Sequence, residues 1–396
     1  MVGFLLYDRA GASKGAVLIP MGIGQLAVCH FLPRRSMQQR TKMNRPPATS
    51  KDLAVLGGVT AAGPTTSAIT RRAWLGGMGG VALWLWASGQ GYGETDVVDA
   101  CPWMRPWIEQ DGLDRGWLNR LFRHLELYQP AVSLMESQAE SKPYYAYRKM
   151  FINKHIIAQG RVRFLQYHTL LQEMTSRFGV PGEFLVALWG IESRFGANMG
   201  RHPVLRVLFT LANSYPRRAA FYQDQLRHFL LLCREEGWDP GSVTGSYAGA
   251  MGQVQMIPGT LRRYAVDFDG DGKRDVFNDP EDVLASIASF LRGQEWQTDG
   301  LYALPLHRGA DLDKMVSQDV ENMRPWREWV TQGIRVVSGQ REPDQEEAAA
   351  MIMLEEESGP RYHMVFHNFR VVTRWNRSRR FAMVVRELAL RVSRAG

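Results

Sequence analysis

FLVALWGIESRFG, residues 184–196, constrains the fold more than any other stretch, because it can only be buried. From Phe184 to Ile191 every residue except Gly190 is hydrophobic, so this helix would have no polar face to offer water. Pro181 stands where a first helical turn tolerates proline, and Gly196 supplies an expected stop. Glu192 then falls near the helix C-terminus, where the macrodipole and partial desolvation both favour the protonated acid. Arg194 is a poor neutralising partner, since residues two apart on a helix point to different faces. A carboxyl so placed is either a general acid or a structural group satisfied by backbone donors, and the rest of the chain has to decide.

The chain has 396 residues, 45% hydrophobic and 11% aromatic, enough for two or three domains with real cores. Its net charge of +8 suggests a polyanion partner until it is located. Residues 1–95 hold ten Lys/Arg and three Asp/Glu, which leaves 38 of the 48 basic and 37 of the 40 acidic residues for the remainder. A nucleic-acid binder would carry its excess on the folded part, so nucleic acid is set aside. Three cysteines, Cys29, Cys101 and Cys233, show no metal spacing and no disulfide framework; Cys101 and Cys233 are either an exported pair or two ordinary buried thiols.

Residues 70–93, TRRAWLGGMGGVALWLWASGQGYG, read as a leader. Thr70, Arg71, Arg72, Trp74 and Leu75 fill the slots of a twin-arginine export signal, followed by an apolar run too short and glycine-rich to span a membrane comfortably. Cleavage after Gly89 and a periplasmic destination are expected, with Met43 as an alternative start. From Trp107 to Phe178, apolar residues recur at three and four, as in Leu118, Leu121, Phe122 and Leu125, and later Phe164, Tyr167, Leu170, Leu171 and Met174. The expected fold class is therefore mainly α, within α+β. The expected parts are a leader (1–95), an accessory helical domain (96–180), a catalytic core (181–300), a small β-containing subdomain (301–365) and a C-terminal segment returning to the core (366–396), with a helix from about Arg379.

Two further motifs carry chemistry. GSYAGAMGQVQMIP, residues 245–258, sets Ser246, Gln253 and Gln255 among small residues that allow close backbone approach, and amides suit sugar hydroxyls and acetamides better than charges do. DFDGDGKRDVFND, residues 267–279, places Asp267, Asp269 and Asp271 at positions one, three and five of a loop with Gly272 at six, the opening of a calcium loop. Lys273 would offer its backbone carbonyl. Position twelve is Asn278, so closure falls to Asp279, Asp282 or water. Three tyrosines in SKPYYAYRKMF, residues 141–151, are more readily core than binding strip, although they could line a sugar groove.

With these motifs in order, residues 100–395 resemble the lytic murein transglycosylase B family of peptidoglycan-cleaving enzymes. The resemblance is carried by PYYAYRKMF, GIESRFG, SYPRRAAFY at 214–222, GSYAGAMGQVQMIP, the calcium-like loop and HNFRVVTRWNRS. It implies a lysozyme-like helical core with accessory helical and small β domains, and glycan strands of peptidoglycan as the partner; the aspartate loop is expected to hold a structural Ca2+, with no organic cofactor, and peripheral association with envelope assemblies stays open, with no protein partner named. The family's catalytic glutamate maps onto Glu192, and its groove positions onto Ser246, Met251, Gln255, Tyr215 and Arg217. One departure is plain. Where the family often has tyrosine before Asn-x-Ser, this chain has Trp375 before Asn376 and Ser378, an indole able to stack on a sugar and donate one hydrogen bond but not to accept one.

The chemistry implied is substrate-assisted, so one carboxyl suffices. Glu192 would protonate the oxygen between N-acetylmuramic acid and N-acetylglucosamine, then, as carboxylate, deprotonate the muramic C6 hydroxyl to give a 1,6-anhydro end. A hydrolytic lysozyme and a non-catalytic wall-binding protein are the rival readings. The first would add a placed water, and the second would have no use for a buried acid.

Overall fold

A computed structural model describes residues 96–137, 142–307, 311–317 and 319–394, so the expected leader lies outside the described residues. The Gly182–Ser193 helix sits at the centre. All its residues except Glu183 and Phe184 are buried, as a helix without a polar face requires. Four helices surround it: Lys154–Gln166, His168–Phe178, Pro280–Gly293 and the C-terminal Arg379–Val392. Close approach depends on missing side chains. A Cβ on Gly160 would stand 2.5 Å from Val392 of the C-terminal helix, well inside contact distance.

The amphipathic helices expected before Phe178 are present as Arg115–Phe122, Lys154–Gln166 and His168–Phe178, with Leu118, Phe122, Leu171 and Met174 buried. No break in packing separates them from the helices beyond Pro181, because both helices just before that proline lie against the central helix. A single apolar cluster runs from Val97 to Val392. Cys101 and Cys233 are separate buried thiols; the Cys101 Sγ lies 4.0 Å from Asn213 Oδ1.

Residues 303–365 supply an antiparallel sheet of β3 (Ala303–Pro305), β4 (Arg324–Pro325), β5 (Ala348–Glu356) and β6 (Gly359–Val365), in the order β3-β6-β5-β4. A short pair, β1 (His202–Pro203) and β2 (Thr244–Gly245), lies apart from it. The continuous apolar run AAAMIM in β5 follows from burial on both faces. Ala350, Ile352 and Leu354 join the main core, whereas Ala349 and Met351 join a second cluster around Trp326 and Trp329.

After the sheet, the helix His367–Trp375 ends and Ser378 caps the next one, accepting from the Phe381 N–H at 3.2 Å. The WNRS sequence is thus a helix stop followed by an N-cap, and it brings Trp375 back to the central helix. Among the described residues no helix is long and apolar enough to cross a membrane.

Candidate active site

Glu192 occupies the last turn of the central helix and is 4% exposed. Burial pushes its pKa up from 4.5 to about 8, against the lowering effect of a hydrogen bond from Trp375. The carboxyl is therefore protonated at neutral pH, which suits it to give a proton. Trp375 Nε1 donates to Glu192 Oε1 at 2.8 Å, while Oε2 is buried with no hydrogen-bond partner. Trp375, expected at the substrate groove, is fully buried in this structure, its indole edge-on to Phe290 at 4.9 Å between ring centroids.

The chain leaves the helix earlier than Gly196. Arg194 and Phe195 take left-handed φ values of 51° and 58° before Gly196 at 85°. Two consecutive non-glycine residues in that region cost on the order of 1–3 kcal/mol each, and local contacts offset the cost. Ser193 Oγ accepts from the Gly196 N–H at 3.0 Å, and the Phe195 ring packs on Trp189 in a slot that only Gly190 leaves open, since a Cβ there would lie 2.6 Å from the ring. The strained turn begins two residues after Glu192.

The Gly/Ala-rich loop is buried from Gly245 to Pro258, and its small residues let it fold closely on itself. Ser246 Oγ accepts from the Ala248 and Ala250 N–H groups at 3.3 and 3.0 Å, with its own hydrogen still to place. Met251 is fully buried and bridges Gly245 and Met256 through its backbone. The Gln253 amide, expected at the substrate groove, accepts from Trp189 Nε1 at 2.7 Å and donates to the Phe277 carbonyl at 2.8 Å, a tie between the central helix and the aspartate-loop side. Gln255 donates to the carbonyls of Met199 and Gly252, both at 2.9 Å, from a φ of 49°. Tyr215 is half-buried and Arg217 exposed, while Asn376 is buried at the helix stop.

One residue escaped the sequence reading. Tyr147, on the Tyr144–Lys149 helix, has a buried hydroxyl with no hydrogen-bond partner, and burial followed by the charge of Glu192 raises its pKa well above the ordinary tyrosine range. Only its place in the three-tyrosine run hinted at it. Its neighbour Tyr144 is spent on structure, donating to Glu387 of the C-terminal helix at 2.6 Å, and Tyr145 lies exposed.

In the acidic loop, Asp267, Asp269 and Asp282 bring ligand oxygens within 4.8 Å of one another. Asp282 is buried at the start of the Pro280–Gly293 helix, its oxygens fixed by the N–H groups of Phe268 and Asp275 at 2.7 Å each. Burial, then the charges of Asp279 and Asp269, raises its pKa despite those bonds. Asp271, also expected as a ligand, is not among these three; its Oδ1 accepts the Lys273 N–H at 2.8 Å. Three converging carboxylates form a hard oxygen set that fits Ca2+.

The helical frame around this acid is that of the lysozyme-like lytic transglycosylases. The structure superposes on soluble lytic transglycosylase SltB1 from Pseudomonas aeruginosa with a TM-score of 0.70, at 33% identity over 74% of this chain and 97% of that one. Slt35 from Escherichia coli, solved in complex with calcium, gives 0.68 at 30% identity over 74% and 92%. In sequence, the membrane-bound lytic murein transglycosylase B of Escherichia coli is 31% identical over 299 residues, 73% of this chain and 81% of the relative. A family profile described as the transglycosylase SLT domain matches residues 100–390, and the chain belongs to that family.

Proposed function

We propose that Glu192 performs both proton transfers of a non-hydrolytic cleavage of peptidoglycan, which makes this chain's lytic transglycosylase activity a one-carboxyl chemistry. The observation that carries the reading is a neutral buried acid whose Oε2 has no protein partner. Protonated, Glu192 gives its hydrogen to the oxygen leaving N-acetylmuramic acid, and the substrate acetamide supports the anomeric carbon. As carboxylate, it takes the proton of the muramic C6 hydroxyl, which closes the 1,6-anhydro ring. Ser246 has a hydrogen to give the acetamide, and Tyr215 and Arg217 lie on accessible surface where a glycan strand can reach them. P. aeruginosa SltB3, 32% identical over 75% of this chain and 79% of its own with a TM-score of 0.66, has been solved with a NAG-NAM-pentapeptide. That relative's ligand supports the same substrate class here.

Asp267, Asp269 and Asp282 would hold a structural Ca2+, which would neutralise carboxylates gathered at one end of the helix that carries Phe290. The twin-arginine-like leader supports export to the periplasm, where this substrate lies. Glu192→Gln tests the assignment. Turnover of purified peptidoglycan is expected to fall at least about a thousand-fold while cosedimentation with the glycan is kept; retained turnover would remove Glu192 from the mechanism.

A further inference from the structure

We infer that Trp375 is a positioning residue that fixes which oxygen of Glu192 carries the catalytic proton, a role resting on the acid assignment above. An indole N–H can only donate. Its 2.8 Å bond therefore makes Oε1 an acceptor in both protonation states, and the hydrogen of the neutral acid has Oε2 as its site. Oε2 is also the oxygen that no protein group engages. A hydroxyl at position 375 could turn and accept from the acid, so the proton would be shared between two oxygens, one of them engaged by the side chain at 375. The indole removes that choice.

The surroundings hold the indole to this task. Trp375 is fully buried, Phe290 packs edge-on against its ring, and the helix stop at Asn376 with the Ser378 cap sets the angle at which the chain leaves it. Among the described residues, Trp375 is the one donor to the Glu192 carboxyl. The titratable groups nearby are otherwise engaged. Tyr147 stays neutral, its ring beneath Arg380; Arg163 lies over Trp189; Glu387 is bound by Tyr144 and Arg148. The hydrogen bond also favours the carboxylate, so it keeps the pKa of the buried acid from climbing beyond the range in which it can act as base.

Two measurements test the role in the full chain. The first is proton NMR of the Trp375 indole N–H against pH, assigned with Trp375→Phe. The resonance is expected to shift with a single midpoint near pH 8, and to lose that titration in Glu192→Gln; a pH-independent resonance in the native enzyme would overturn the inference. This readout needs no turnover, so it stands apart from any failure of the proposed reaction. The second is the pH profile of peptidoglycan cleavage by Trp375→Phe, with its fold checked by circular dichroism. Loss of the donor is expected to move the alkaline limb of kcat/KM upward by about one unit and to lower kcat more than it changes KM. An unmoved limb in a folded Phe variant would reduce Trp375 to packing, and if that variant does not fold, the indole titration decides alone.

Discussion

At the scale of single residues, the same burial that makes Glu192 useful makes it costly. Folding raises its pKa from 4.5 to about 8, so the stability of burying it uncharged is complete below about pH 4.5 and is lost as pH rises through 8. Replacing Glu192 with Gln removes that loss. Thermal or urea unfolding is expected to show the variant gaining on the native enzyme by on the order of 1.4 kcal/mol per pH unit between those limits, and parallel stability curves would show that the acid is not buried in solution. Gln253 gives a second residue-scale test. Gln253→Leu would strand the Trp189 indole N–H and the Phe277 carbonyl, two buried groups worth about 1–3 kcal/mol each. Urea unfolding is expected to show a loss of about 3 kcal/mol; a near-neutral result would mean that these two hydrogen bonds do not help hold the fold.

At the scale of elements, the Pro280–Gly293 helix joins the aspartate loop to the acid. Asp282 at its start belongs to the carboxylate cluster, and Phe290 near its end packs on Trp375, which holds Glu192. Calcium is expected to raise the thermal midpoint by several degrees at concentrations well above its Kd, with a chelator reversing the gain and Asp282→Ala abolishing it. Lys273→Ala should leave the response intact, since it keeps the backbone carbonyl, the one ligand atom expected of Lys273. A calcium response unchanged in Asp282→Ala would place the ion elsewhere. The turn after Glu192 yields a further prediction. Gly190→Ala puts a methyl into the space of the Phe195 ring, and overpacking of that kind costs about 1–3 kcal/mol. Denaturant unfolding, together with a drop in turnover, would report it; no change in either would mean that the strained Arg194–Gly196 turn does not position the acid.

At the scale of the whole molecule, legibility in the sequence depends on range. The apolar run ending in Glu192 and the C-terminal helix from Arg379 are local patterns, and the structure displays both; of the alternating aspartates, Asp267 and Asp269 converge, joined by Asp282 in place of Asp271. Helices on both sides of residue 180, where a domain boundary is expected, pack against the same central helix. A composition change does not report which helices share a core. The helix stop is expected at Gly196, since nothing local announces that Arg194 and Phe195 will accept left-handed geometry in exchange for seating an aromatic ring on Gly190. The glutamines look like sugar ligands because their type suits sugars, but their partners, Trp189, Phe277 and Met199, lie 24 to 64 residues away. Likewise Trp375 stands out as a departure from a family pattern, whereas its bond to Glu192 spans 183 positions and only the folded chain shows it. The family resemblance, carried by several motifs in order, agrees with the matched profile over residues 100–390.

In the mechanism proposed for this enzyme, one buried carboxyl both gives and takes the proton, without water. The decisive experiment is mass spectrometry of the muropeptides released from purified peptidoglycan by the full chain, with calcium present and Glu192→Gln as control. Products one water lighter than hydrolysis would give are expected, and they should be absent from the control. Full-mass reducing ends would refute the one-carboxyl mechanism, and would make the enzyme a hydrolase that uses the same acid with a placed water.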